Sequence, residues 1–545
     1  MSPPTFIKLR FFDSELFFYL FLYFTIFSMR LIIFFISILT INSLFAQTKN
    51  KSLFYPSQKI DFLHFFNYNN RQAKVDTNAF YTNANYNLQY GNAQAFGLLY
   101  KQKLNPYLDL QLNLIKFSRE GLLQNEEIKN HEFDLIAHFS NKLDNYKSYL
   151  HFGSEKYLLQ ENGGVTNFDY GSVSDPSFYS VSLSQASNYG HNHFYSYNQS
   201  YQLSDNVKLV NNSNYYRKYR IYEDGNPNPN YYPNIYNDST STFDSTYFAN
   251  FTNQIGIQVQ NFQLSYVYKN LSNWHASNDS VFVDNGLSFH AQFSPKKIDI
   301  DFNLQYYTSA SYFSALSFSL ADSNLLLSLG SQKPLIPVFT NSYSSNHFQF
   351  NTNFTDYRKH SASLVYQLNK LKLSTVLNAH QNFIYLNEQQ LFVQNPDLFY
   401  HSKSTIDYKW KFGLLNGYHT FNYQFSSNDQ VFRVPSLQLH SDLYLNTLLF
   451  DASLDFKIGS TISFYTSYYG NRYSPALAQF YLQNEQLIGD YPFMTAYANL
   501  MVESVNIEFQ LVNIFDLLSD KAYYTSPDIP YFGSPFQLSI SWKLD

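Results

Sequence analysis

Histidine is the side chain best suited to acid–base and metal chemistry near neutral pH. His191-Asn192-His193 sets two imidazoles one residue apart, which could give a metal ion two ligands. A metal site needs three or four convergent groups, so this pair reads as exposed loop residues, and neither a metal nor another cofactor is expected. His138, His290 and His440 lie in strand-like segments with Ser and Asp nearby in sequence. A hydrolase needs a nucleophile or activated water beside a positioned base. Ser and Asp occur throughout the chain, so such neighbours are expected by chance, and the chain is read as not an enzyme. Gly163-Gly164 marks a turn, with no phosphate-binding pattern around it. The charged residues that share a pattern are Asp109, Glu132, Asp134, Asp299, Asp301, Lys409, Lys411, Asp451, Asp455 and Glu508, with Lys457 and Lys543. Each falls on the polar side of an alternating segment. Rings of such groups set ion preference where they line a pore; otherwise they solvate a wet interior or pair with one another.

The alternation that orders these charges is the dominant signal from about residue 80 onward. Leu108, Leu110, Leu112 and Leu114 alternate with Asp109, Gln111 and Asn113. Phe133, Leu135, Ala137 and Phe139 alternate with Glu132, Asp134 and His138, with Ile136 the exception. Ile298 to Tyr306 and Phe450 to Phe456 repeat the pattern, and Phe536, Leu538, Ile540, Trp542 and Leu544 close it. Successive side chains of a strand point to opposite faces, so each segment has one apolar and one polar face. Most run about ten residues, the length a tilted strand needs to cross a bilayer. Short connections at 104–106, 140–145, 203–206, 294–297, 369–370, 413–417 and 503–504 alternate with longer polar stretches. The longer ones are 117–130, 157–192, 223–247, 271–285, 309–345, 386–403, 427–434, 470–492 and 515–534. Residues 176–184 and 312–320 also look strand-like, but the long–short rhythm places them inside loops; 346–368 reads as one strand or two. Inside a bilayer every backbone N–H and C=O needs an internal partner, which a closed sheet supplies and an open edge does not. The expected fold is all-β: a single closed antiparallel transmembrane β-barrel of about 20 strands, within a range of roughly 18–22, with short periplasmic turns and long extracellular loops.

Composition agrees. Aromatic residues make up 20% of the 545, nearly all Tyr (50) and Phe (54), against 14% charged residues; a soluble domain carries about 25% charge. Tyr suits a membrane–water boundary. A mean hydropathy of −0.32 is too polar for a bundle of membrane helices. The formal net charge of −5 argues against a nucleic-acid partner. The one long apolar stretch, 16–46, breaks at Met29-Arg30 and continues to Ser43-Leu44-Phe45-Ala46-Gln47. That is the layout of a secretory signal. Residues 1–46 are read as an upstream extension plus signal peptide starting at Met29 and cleaved between Ala46 and Gln47. Residues 47–80 form a short N-terminal segment, and 81–545 the barrel.

Two groups of sequence carry a resemblance. One is C-terminal: Tyr468-Tyr469-Gly470-Asn471-Arg472-Tyr473-Ser474-Pro475, Ile488-Gly489-Asp490-Tyr491-Pro492-Phe493, Ala498-Asn499-Leu500, and Leu538 to Leu544. The other is N-terminal: Arg71 to Thr77, Lys101 to Tyr107, and Glu161-Asn162-Gly163-Gly164-Val165. In these the chain resembles the Bacteroidetes-type putative porin family of outer-membrane proteins. The resemblance implies a barrel in the outer membrane of a Gram-negative bacterium, embedded in outer-membrane lipid and folded by the barrel-assembly machinery. It implies a pore but no substrate; the polar lumen and the lack of a catalytic constellation make a porin-like channel for passive or weakly selective diffusion of small hydrophilic solutes the expected function. The chain departs from the usual aromatic ending, since Leu544-Asp545 follow Trp542. Two other functions fit the same pattern: a plug-less transporter barrel working with a surface lipoprotein, and a surface adhesin or structural barrel. Val512-Asn513-Ile514-Phe515-Asp516 resembles the last strands of TonB-dependent receptors, but at most 33 residues (47–79) precede the first strand, too few for a plug. Two Asp-Ser-Thr triplets, 238–240 and 244–246, resemble the acceptor motif for O-glycosylation in this bacterial group.

Overall fold

The computed structural model describes residues 81–544, apart from 90–92, 170, 173–174, 276–277, 296, 321–323, 355 and 533–535. The signal peptide, its cleavage between Ala46 and Gln47, and the segment 47–80 lie outside the described residues.

Among the described residues, alternating segments become the strands of one large antiparallel sheet, in which 22 strands pair. Its first half is β1 (Tyr81–Gln89), β2 (Ala93–Asn105), β3 (Leu108–Arg119), β4 (Ile128–Ser140), β5 (Tyr146–Glu161), β6 (Ala186–Ser204), β7 (Val207–Asp224), β8 (Thr242–Val259), β9 (Phe262–His275), β10 (Asn278–Phe293) and β11 (Ile298–Tyr307). The second half is β12 (Tyr312–Leu320), β13 (Leu325–Lys333), β14 (Arg358–Leu368), β15 (Leu371–Gln381), β16 (Phe399–Phe412), β17 (Leu415–Ser426), β18 (Leu437–Leu449), β19 (Leu454–Tyr465), β20 (Phe493–Val502), β21 (Val505–Val512) and β22 (Phe536–Leu544). Each strand pairs with the next, and β1 also pairs with β22, from Thr82 opposite Leu544 to Gln89 opposite Gln537.

The register keeps the two faces separate. Leu112, Leu135, Phe152, Tyr195, Tyr215 and Phe251 stand opposite one another in succession across β3 to β8. One residue along, Gln111, Ile136, His151, Ser196, Asn214 and Thr252 make the matching row on the polar face. A slip of one residue would exchange the two sets, so the hydrophobic pattern specifies the pairing. Ile136 breaks the sequence pattern because it lies on the polar face, buried between Gln111 and His151.

Several expectations change. Residues 312–320 and 325–333 are full strands of the sheet, not parts of a loop 309–345, because β11 and β12 are joined by only 308–311. The stretch 271–285 is the β9–β10 hairpin, with two residues between the strands. The assumption that every connection at one end is long fails at both places. Residues 176–184 stay outside the sheet, with a 3-10 turn at Pro176–Phe178. In 346–368 only Arg358–Leu368 joins the sheet. Asp451 does not lie on a polar strand face: β18 and β19 pair from Leu449 opposite Leu454, which leaves 450–453 as an exposed turn with Phe450, Asp451 and Ala452 at φ 53°, 55° and 67°.

Strand length is uneven. β6, β7 and β8 have 19, 18 and 18 residues, whereas β12 and β13 have 9 each. Most of the buried apolar residues belong to the long connections rather than to the sheet. Leu183, Tyr232, Tyr343, Phe348, Leu386, Leu477 and Tyr481 pack into one core with Ala186 and Tyr222 at strand ends. Among the described residues these connections also fold four small hairpins: Ser342–Ser344 with Gln349–Asn351, Phe383–Leu386 with Phe392–Asn395, Arg472–Ser474 with Gln479–Tyr481, and Tyr523–Ser526 with Ile529–Tyr531.

Candidate functional site

The polar face gathers the sequence-predicted charges by alternation but scatters them over many strands. Asp109, Glu132, Asp134, Asp299, Asp301, Lys409, Lys411, Asp455, Glu508, Lys457 and Lys543 all have the parity of that face. Many are engaged by neighbours. Asp134 meets His151 at 2.9 Å and the Asn113 amide at 3.2 Å. Asp301 meets His290 at 2.8 Å, Glu132 accepts from Asn130 at 2.9 Å, and Glu508 accepts from Asn499 at 3.0 Å. Asp442, which the sequence does not single out, accepts from the Tyr497 hydroxyl at 2.7 Å and lies 3.6 Å from Lys457. Local pairing thus accounts for much of this charge.

His440 sits 2.9 Å from the Ser463 hydroxyl, while the nearby Asp442 is held by Tyr497 and Lys457. His138 stacks edge-on against Tyr149. His191 and His193 belong to β6, not to a loop, and share its apolar face, with ring centres 4.0 Å apart. Lys156 stands opposite His191 and Arg217 opposite His193. Among the described residues no group of three or more His, Asp or Glu could hold a metal ion. The triplet at 238–240 forms an exposed turn, where Asp238 accepts from the Thr240 N–H at 2.8 Å and hydroxyl at 2.7 Å. The triplet at 244–246 is inside β8, with Asp244 buried.

A cavity of about 460 Å³ opens on the polar face of β5 to β13. Its wall is rich in amides, among them Asn198, Asn212, Asn214, Asn250, Gln254 and Gln305, interleaved with Tyr149, Phe194, Tyr216 and Tyr307. Lys269 lies 3.7 Å over the Tyr307 ring. The segment Pro334-Leu335-Ile336-Pro337 of the β13–β14 connection completes the lining.

Beside this cavity the long connections form a cap, and it contains candidate functional residues that the sequence pattern does not single out. Arg220, near the end of β7, is fully buried. Its guanidinium donates to the carbonyls of Pro475 and Ala476 at 2.7 and 2.8 Å and to Asn188 at 2.8 Å. Asn188 in turn donates to Glu161 at 2.8 Å and to the Pro475 carbonyl at 3.0 Å. The β19–β20 connection is thereby tied to the strand ends of β5, β6 and β7. A second tie joins the β7–β8 and β13–β14 connections. The His347 ring stacks on Tyr232 at 3.6 Å and 6°, its Nε2 accepts from the Thr242 hydroxyl at 2.7 Å, and its Nδ1–H donates to the Asn234 carbonyl at 3.1 Å. Burial pushes the His347 pKa down from its ordinary value. Asn346 accepts from the N–H groups of Asn237 and Asp238 and donates to the Thr242 hydroxyl. A third tie is Arg472 to Asp528 at 2.6 Å; burial pushes the Asp528 carboxyl up, against the pull of that guanidinium. Gly164, at φ 91°, lets the β5–β6 connection pass Asp528, whose Cβ a side chain there would meet at 2.6 Å. The one sequence signal for this cap is the density of Tyr and Phe inside stretches otherwise rich in Asn, Pro and Gly.

A family model described as "Putative porin" matches residues 37–545. No curated protein matches the chain. Among solved structures the sheet is similar to the siderophore receptor PiuA from Acinetobacter baumannii, with a TM-score of 0.60 at 13% identity over 87% of this chain and 82% of that one. It is similar to the copper transporter OprC, with a TM-score of 0.62 at 11% identity over 86% and 81%. It is similar also to the ferric-catecholate import receptor Fiu from E. coli K12, at 0.57 and 10% over 86% and 82%. At these identities the likeness is one of fold.

Proposed function

The chain belongs to the putative porin family, and from that premise we propose that it is an outer-membrane channel for passive or weakly selective diffusion of small hydrophilic solutes. The large antiparallel sheet, similar in fold to known outer-membrane receptors and transporters, is consistent with an outer-membrane location. In this reading the sheet closes on itself, which the β1–β22 pairing supports, and turns its apolar face to lipid. Closure gives every strand two partners, as a bilayer without water demands. The barrel is not an enzyme; its partners are lipid, the assembly machinery that inserts it and the solutes it passes.

The observation that carries the proposal is the polar face, which runs the length of the strands to a cavity of about 460 Å³ walled by amides and aromatic rings. Both signs of charge share this face: Asp134, Asp301 and Asp442 stand beside His151, His290 and Lys457, and Lys409 and Lys411 lie on β16, so the interior does not present a single sign. Such a wall suits neutral or weakly charged solutes. Reconstitution into planar bilayers tests it. Discrete conductance steps and faster swelling of liposomes in small neutral sugars than in large ones are expected. Silence at every voltage, with liposomes that do not swell, would refute it and favour an adhesin or structural barrel.

A second reading, a plug-less transporter that works with a partner lipoprotein, is favoured by the cap. Loops with their own apolar core, held across the polar face by Arg220 and His347, would need a partner or solute to move them. A channel that conducts only after its cap is loosened supports this reading over free diffusion.

A further inference from the structure

The register also brings basic side chains together on the opposite, apolar face. Lys116 of β3 stands opposite His131 of β4, His131 opposite Lys156 of β5, and Lys156 opposite His191 of β6. One pair nearer the short turns, His193 stands opposite Arg217 of β7. Lys116, His131 and Lys156 are exposed. With strands roughly 4.8 Å apart, the row from β3 to β6 spans about 14 Å.

This row lies along the edge of an apolar field. Moving toward the short turns on the same face, Lys116 gives way to Leu114 and Leu112, His131 to Phe133 and Leu135, and Lys156, past Ser154, to Phe152 and Leu150. His193 gives way to Tyr195 and Arg217 to Tyr215. Sideways the row continues as aromatics: His191 opposite Tyr219, Tyr219 opposite Tyr247, and Tyr247 opposite Trp274. The first acid along it is Asp279 of β10, opposite Trp274.

Several other cations at the long-connection end are neutralised within the protein. Arg119 pairs with Glu126, Lys129 with Glu127, and both Lys333 and Arg358 with Asp356. Among the described residues no carboxylate forms an ion pair with Lys116, Lys156 or Arg217. Basic groups left unmatched where apolar surface meets water attract anionic headgroups.

We infer that this edge, Lys116–His131–Lys156–His193–Arg217, docks the phosphate groups of membrane lipids and fixes the depth of the sheet on that side. The inference rests on the reading that the apolar face meets lipid. It is tested on the purified chain in detergent, titrated with phosphatidylglycerol or with phosphatidylcholine of the same acyl chains, bound lipid being counted by native mass spectrometry. The native chain retains phosphatidylglycerol roughly tenfold more tightly. The triple variant Lys116→Gln, Lys156→Gln, Arg217→Gln keeps its strand circular dichroism and loses the preference. Equal retention of the two lipids by the native chain, or an undiminished preference in the variant, overturns the site. Displacement of lipid by equimolar inorganic phosphate overturns it too, since a free ion would then suffice. Insertion into vesicles, read by protease protection, separates the two claims. A chain that inserts but ignores headgroup charge loses the lipid site alone; a chain that enters no vesicle loses the membrane reading as well.

Discussion

Replacing Arg220 by Met tests whether the cap is held by the β7 guanidinium. Met keeps much of the buried volume and removes the charge and donors. Three hydrogen bonds disappear, to Pro475, Ala476 and Asn188. The Pro475 carbonyl retains Asn188 as a donor at 3.0 Å, whereas the Ala476 carbonyl loses the guanidinium altogether. Breaking one side of a buried charged network costs about 3–5 kcal/mol. The surviving Asn188 bond argues for the lower end, about 3 kcal/mol. At about 1.4 kcal/mol per decade this raises the opening equilibrium of the cap roughly 100-fold. Amide hydrogen exchange on the detergent-solubilised chain reads it directly. The Leu482 N–H, bonded to Leu386, and the Tyr468 N–H, bonded to Ile488, report on the cap. They should lose about two decades of protection, while amides deep in β15 to β18 keep theirs. Unchanged protection in the cap would refute the tie, and an equal loss throughout the sheet would show that Arg220 supports the whole fold instead.

His347 gives the cap a pH dependence of known sign. Its folded-state pKa is depressed by burial from the ordinary 6.5, so its contribution is present above that value and is lost as pH falls below it. Cap protection should decline from pH 7 to pH 5 in the native chain and decline less in His347→Phe; a parallel decline in both would exonerate this ring. Gly164→Ala puts a Cβ 2.6 Å from that of Asp528 on a left-handed backbone, at an expected cost of about 1–3 kcal/mol. Cleavage by a protease within 162–185 should become faster, and a native cleavage rate would count against the close approach. On the channel reading, Asp442→Asn leaves Lys457 without its carboxylate. The reversal potential under a salt gradient should then move toward anions, by a permeability factor of roughly two, and movement toward cations would contradict the pairing.

The sheet was legible wherever both faces were clean. Leu108 to Leu114 and Phe536 to Leu544 announce their strands because a period of two can only be satisfied by a pleat. Tyr312 to Leu320 was harder, because Ser lies on both faces and the neighbouring connection is short. Phe450 and Ala452 imitate the alternation of the next strand while sitting in the turn before it. The charges of the polar face could be listed from the sequence, but not their pairing. Asp134 and His151 are on adjacent strands, and their contact depends on a register that alternation protects from a slip of one residue but not of two. The cap was least legible. Arg220 and Pro475 are 255 residues apart, and loops that pack on one another leave no periodic trace.

The tall strands have a further consequence. At roughly 3.4 Å per residue an 18-residue strand is about 61 Å long, nearly twice what a tilted crossing of about ten residues requires. On the side of β6, β7 and β8 the paired sheet therefore runs well beyond that length. A loop absorbs an inserted residue; a pleat does not, because one extra residue in β6 would turn Asn188 outward and a neighbour toward Arg220. The paired ends of β6, β7 and β8 can therefore change only by swapping every second side chain, while the connections are free to vary in length.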